Sequence, residues 1–130
     1  GNVVAHDPNS KSEVTVHVDE NGPVSLFVFK TLSEHHVGEL SFFKVFSGTV
    51  SPGIDLVNES NGKSERLGQI FIMNGKERKE AGKLHAGDIG AVVKLKDTHT
   101  NNTLSAKSFP VIFDPIVFPA PVIAAAIVPK

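Results

Sequence analysis

The sequence predicts an all-β domain, either a barrel or a sandwich. Three observations carry that prediction. Short β-branched and aromatic runs recur at spacings near ten residues. Turn signals separate them: Pro-Gly at 52–53, Asn-Glu-Ser-Asn-Gly at 58–62, Asn-Gly at 74–75 and His-Ala-Gly-Asp at 85–88. Only one stretch, 76–84, has helix-forming composition.

Residues 1–22 are polar and acidic. Lys11 stands against Asp7, Glu13, Asp19 and Glu20, one minus four, a local balance of −3. Val14, Val16 and Val18 alternate with Thr15 and His17. That period of two predicts a short edge strand after a loose lead-in. The next run, Val24 to Leu32, reads as a strand with apolar side chains on both faces. Leu26 and Val28 point one way, Phe27 and Phe29 the other. A polar loop follows at 33–37.

Gly38 to Gly53 is the longest β-rich run, interrupted at Gly48 and closed by a Pro-Gly turn. Its adjacent Phe42 and Phe43 cannot share a face of a regular strand. Either one ring faces a partner, or a β-bulge turns both inward. The residue pattern leaves both open.

Short strands are then predicted at Ile54 to Val57 and Arg66 to Met73. Lys76 to Leu84 is expected to form a helical turn or two, limited by its length and by Gly82. Ile89, Ala91, Val93 and Leu95 alternate with Gly90, Val92 and Lys94, a clear strand. Asp97 to Thr103 is a loop rich in residues that hydrogen-bond their own backbone. Five of the eight prolines lie at 110, 115, 119, 121 and 129. They confine any strand between Val111 and Phe118 to short pieces. Val122 to Val128 is apolar on both faces and reads as a central strand.

Composition narrows the function classes. A chain of 130 residues, 40% hydrophobic and 21% charged, fits one globular domain with a real core. A net charge of −1 argues against nucleic-acid binding by bulk charge alone. Without cysteine there is no disulfide, thiolate metal site or cysteine nucleophile. No apolar run is long enough to suggest a membrane span, and a cytoplasmic location is expected. No phosphate-cradling loop or nucleophile elbow is present. The histidines are scattered apart from the adjacent His35 and His36, so no metal site and no catalytic residue is assigned.

One charge-rich run stands out. Lys63, Arg66, Lys76, Arg78, Lys79 and Lys83 oppose Glu65, Glu77 and Glu80, six minus three, a local balance of +3. It could meet phosphates, but the residues alone favour a solvated face of mixed charge.

Four segments together resemble domain II of bacterial elongation factor G: FVFKTLSEHHVGELSFFKVFSGTVSPG, GKSERLGQIF, AGKLHAGDIGAVVKLKDTHTNNTL and FDPIVFPAPVIAAAIVPK. The resemblance runs from about Pro23 to Lys130 with the motifs in the family's order. It implies a six-stranded antiparallel translation-factor barrel over 23–118. Residues 1–22 are then a lead-in with a possible edge strand. Residues 119–130 become a linker and the first strand of a following domain.

The implied role is non-catalytic. The barrel of a ribosome-dependent GTPase packs on the GTPase domain of its own parent chain and contacts small-subunit ribosomal RNA, while the parent moves tRNA and mRNA. GTP and Mg belong to the GTPase domain, and no cofactor is expected here. Lys63, Arg66, Lys76, Arg78 and Lys79 become candidate RNA contacts. Phe42, Phe43, Asp97, Thr98 and Thr100 become candidate interdomain contacts. The isolated chain is expected as a monomer or as a dimer that exchanges its final strand. Glu39 stands where typical members carry a basic residue, and Asn101-Asn102 where they carry Gly-Asp. Of a familiar His-Arg-Glu stretch only Arg78 is kept. These departures suit a divergent elongation factor G-like paralogue. The competing readings are a free-standing adaptor barrel and a small-molecule-binding barrel unrelated to translation.

Overall fold

The computed structural model describes residues 2–34, 38–75 and 77–114. Among the described residues, twelve strands account for the regular structure: β1 (Asn2–His6), β2 (Glu13–His17), β3 (Ser25–Glu34), β4 (Gly38–Ser47), β5 (Thr49–Val50), β6 (Asp55–Asn58), β7 (Lys63–Arg66), β8 (Ile70–Asn74), β9 (Glu77–Ala81), β10 (Leu84–His85), β11 (Ile89–Val93) and β12 (Thr103–Ser105). All pairings are antiparallel.

Eight strands form the main sheet in the order β7-β6-β12-β3-β4-β11-β8-β9, with β10-β5 as a two-stranded clip. The sheet curls around one core. Leu56 near one edge and Ile70 near the other share that core with Val28 and Phe43 from the middle. Val50 and Leu84 of the clip enter the same cluster. The strand count exceeds six because the β6-β7 and β8-β9 hairpins extend both edges.

The aromatic pair divides. Phe43 is fully buried in the barrel, while Phe42 lies half-buried on the outside. Beside this pair the bulge lies in the partner strand, and a second register shift leaves Phe46 of β4 as an extra residue further along. Val28 pairs with Phe43 and Lys30 with Phe42, so Phe29 is the extra residue of β3. The bulge keeps Phe29 on the outer face beside Phe27 and allows Leu32 to point outward further along.

Part of the second apolar face is covered by the chain itself. Phe27 and Phe46 form a second cluster with Ala5, Val16, Val111 and Phe113. Phe46 and Phe113 pack ring against ring at 4.5 Å between centroids. Residues 2–6 are therefore not a loose lead-in. They pair with β2 in register from Asn2↔His17 to His6↔Glu13, and the hairpin lies over the barrel wall. The missed strand carries Val3, Val4 and Ala5 in succession and so lacks the period-two alternation that marks β2. His6 also exchanges two backbone hydrogen bonds of 2.8 Å with Ile112, the one short piece of strand in the proline-rich tail among the described residues.

The expected helical turn at 76–84 is absent from the described residues. Glu77–Ala81 is β9, paired with β8 from Asn74↔Glu77 to Ile70↔Ala81. A helix of one or two turns does not repay its nucleation, whereas Gly75 at φ 67° suits a hairpin that satisfies the edge of β8. The expected strand Val122–Val128 lies outside the described residues.

Gly48 occupies a backbone position that no side chain could share. Its φ is 80°, and a Cβ there would come within 2.7 Å of the Val24 backbone. The glycine lets β4 turn into β5 tightly against the start of β3.

Candidate interaction surfaces

The predicted cations separate into two groups at opposite edges of the main sheet. Lys63 and Arg66 lie on β7, Arg78 and Lys79 on β9. Lys76 lies outside the described residues. Lys63 is 3.6 Å from Asp97, and Arg66 is 3.4 Å from Asp55 while its Nε donates to the Gly53 carbonyl. Both ion pairs are exposed and weak, so each cation can exchange its carboxylate for a phosphate at small cost. Arg78 lies over the Phe71 ring at 5.4 Å, and Lys79 is exposed opposite Ile72.

The polar loop 97–102 is held from beneath by two buried residues that the sequence did not single out. Glu65 of β7 is 3% exposed. Its carboxylate accepts the Lys96 N–H (3.2 Å), the Asp97 N–H (2.6 Å) and the Thr98 hydroxyl (2.8 Å). Asn58 of β6 donates to Thr98 Oγ1 and to Asn102 Oδ1, both at 3.1 Å. Asn61 adds a 2.7 Å bond to the Asp97 carbonyl. A carboxylate beneath backbone N–H groups is the strong form of such a contact. In the charge count Glu65 was only a counterweight to Lys and Arg. Its inward position in β7, opposite buried Leu56, is a tertiary fact.

This network sorts the predicted interdomain residues. Thr98 is buried and committed to Glu65 and Asn58, so its side chain is not presented to a neighbour. Phe43 is likewise committed to the barrel core. Asp97 is half-buried beside Lys63, and Thr100 is exposed with its hydroxyl 3.0 Å from that of Thr31. Of the aromatic pair, Phe42 is the one that reaches an outer surface.

The Asn101-Asn102 pair fits the loop's backbone. Asn101 has φ 75°, a left-handed conformation that asparagine tolerates better than most residues other than glycine. Asn102 Oδ1 accepts the His99 N–H at 2.9 Å, a bond an aspartate accepts equally well.

Around Phe42 the registers assemble one continuous outer face. Lys30, Phe42, Ala91, Phe71 and Glu80 form one row across β3, β4, β11, β8 and β9. Leu32, Leu40 and Val93 form the next row. Ile89, on the same face of β11, is 52% exposed, and Leu32 and Met73 are each 41% exposed. The N-terminal hairpin covers the neighbouring Phe27 and Phe46 region instead.

Residues 23–107 match the family model described as Elongation factor G domain 2. The chain belongs to that family. A crystal structure of a Thermus thermophilus protein is also similar, with 27% sequence identity and a TM-score of 0.59. The match covers 68% of this chain and 13% of that one, so the chain spans a small part of that protein's length. The elongation factor G domain 2 assignment agrees with the all-β, antiparallel architecture. The second cluster draws Ala5, Val16, Val111 and Phe113 from outside the family-matched residues.

Proposed function

We propose that this chain is the non-catalytic domain II barrel of a ribosome-dependent translational GTPase, an elongation factor G-like paralogue acting in the cytoplasm. It packs against the GTPase domain of its parent chain and contacts small-subunit ribosomal RNA while the parent moves tRNA and mRNA. GTP and Mg2+ bind the GTPase domain and not this barrel. The family match over residues 23–107 carries the reading. The barrel interior supports it against a small-molecule-binding barrel, because apolar side chains from Val24 through Leu104 fill the axis where a ligand would sit.

The RNA contacts fall to the cations on the two edge hairpins, Lys63 and Arg66 on one and Arg78 and Lys79 on the other, with Lys76 just before Arg78 in the chain. Lysine and arginine there would position the barrel on phosphates without reading sequence. The test is charge reversal at Arg78 and Lys79 in the intact parent, with ribosome binding measured over a range of salt. Affinity is expected to fall, and the slope of log affinity against log salt to flatten by roughly 0.7–0.9 for each phosphate no longer neutralised. Unchanged affinity would remove these residues from the RNA interface. Calorimetry on the 130-residue chain is expected to show no heat of GTP binding.

A further inference from the structure

We infer that the β1-β2 hairpin is a hinged strap, latched by residues 109–114, that opens while the barrel stays folded. Strap and latch are coupled. Displacing either one frees the other and bares the aromatic side of the barrel beneath them.

The hairpin is fixed differently at its two ends. Just past the Asn2↔His17 pair the chain is anchored to the barrel. The Gly48 N–H donates to the Asp19 carbonyl and the Thr49 hydroxyl to the Glu20 carbonyl, both at 2.9 Å. This anchored end is the hinge. At the opposite end, where His6 pairs with Glu13, His6 exchanges two backbone hydrogen bonds of 2.8 Å with Ile112. This bridge is the latch. Four residue steps of strand, about 14 Å, separate the two ends. His6 Nδ1 also lies 3.4 Å from Asp114, a solvent-accessible pair that contributes little by itself.

Between hinge and latch the contact is one apolar layer. The register puts Val3, Ala5, Val14 and Val16 on the same face of the hairpin. That face packs on Phe27 and Phe46 of the barrel and on Val111 and Phe113 of the latch segment. The first core cluster contains none of these residues, so the barrel core is complete without the strap. Strap and latch both lie outside residues 23–107, the family-matched barrel.

The reverse does not hold. A hairpin of two five-residue strands is marginal in water unless something covers its apolar face. Residues 109–114 are weaker still. Pro110 cannot donate to a ladder, and the segment meets the strap through a single bridge. One further bond, from the Phe113 N–H to the Thr103 hydroxyl at 3.0 Å, ties it to the barrel. Each segment therefore supplies part of the surface that keeps the other in place. Segments so placed open together, below the free energy of global unfolding.

Native-state hydrogen exchange on the 130-residue chain tests the device. The amides of β1, β2 and Ile112 are expected to exchange through one shared opening, ahead of those of β4 and β11. Ile112→Pro removes the latch donor. It is expected to speed exchange in β1 and β2 about tenfold, with β4 and β11 unchanged. Ile112→Ala keeps the N–H, and the side chain it shortens lies outside both clusters, so the hairpin is expected to stay as protected as before. The chain has no cysteine, so His6→Cys with Ile112→Cys gives one defined disulfide. Antiparallel residues that exchange both bonds sit about 5.5 Å apart at Cα, within disulfide reach. Oxidation of that variant is expected to slow exchange in β1 and β2, and reduction to restore it. Hairpin amides that exchange only together with β4 and β11 overturn the strap. A hairpin indifferent to Ile112→Pro or to the disulfide overturns the coupling. Should Ile112→Pro fail to fold, the disulfide variant decides alone.

Discussion

Replacing Glu65 by glutamine probes the support of the 97–102 loop with almost no change in volume. The carboxylate accepts three hydrogen bonds, two at one oxygen from the Asp97 N–H and the Thr98 hydroxyl and one at the other from the Lys96 N–H. A glutamine whose oxygen faces Asp97 and Thr98 must turn its NH2 toward the Lys96 N–H, donor against donor. One bond disappears, and the remaining two lose the charge of their acceptor. Removing a bond to a charged, buried acceptor costs about 1.5–3 kcal/mol, and neutralising each of the others about 0.5–1 kcal/mol. The sum is roughly 2.5–5 kcal/mol. With a urea slope of about 2 kcal/mol/M, the midpoint should fall by roughly 1.2–2.5 M. Hydrogen exchange should show protection at the Lys96 and Asp97 amides reduced well beyond the global loss. A destabilisation under about 0.5 kcal/mol, with those two amides still protected, would refute the view that the buried carboxylate holds the loop.

Four further outcomes follow from particular contacts. Ser41 Oγ is buried with no hydrogen-bond partner, so Ser41→Ala should be neutral or raise stability by up to about 1 kcal/mol in urea unfolding. Gly48→Ala should lower stability by about 3 kcal/mol or more, since it adds left-handed strain to a backbone clash with Val24, and thermal melting would show it. Phe46→Ala should cost about 3 kcal/mol and increase binding of a hydrophobic dye, because it opens the cluster under the N-terminal hairpin. The Ser10 and Asn9 N–H groups hold the Asp7 carboxyl below its ordinary value of 3.8, a contribution present above that pH and lost as pH falls through the lowered value. Burial instead pushes Glu59 above its ordinary 4.5, opposed by a bond from Ser105, so its ionisation costs stability as pH rises through the raised value. Unfolding of Asp7→Asn and Glu59→Gln across pH 2–6 should therefore change slope in opposite senses.

Much of the fold was legible because strands announce themselves locally. Period-two alternation marked β2 and β11, and Pro-Gly and Asn-Gly marked the turns. The β9 strand was not legible. Glu77 to Ala81 has the composition of a helix, and only its pairing with β8 makes it a strand, which is how tertiary context overrides a weak propensity. The charge run was visible as a run but not as two surfaces, since β7 and β9 lie at opposite edges of the sheet. Glu65 was invisible as a support because a buried acid and an exposed one look the same in a row of charges.

The Phe42-Phe43 pair shows where the division falls. Alternation in a strand required two aromatic rings on two faces unless a bulge intervened, and that much followed from the residues alone. Which ring is inside, and where the bulge lies, depended on the register between β3 and β4. That register places the extra residue at Phe29, puts Phe43 in the core and leaves Phe42 in an outer row with Ala91 and Phe71. Side-chain alternation is a property of one strand and is written in its sequence. Register is a property of two, set by the packing of both faces, and only the folded chain decides it.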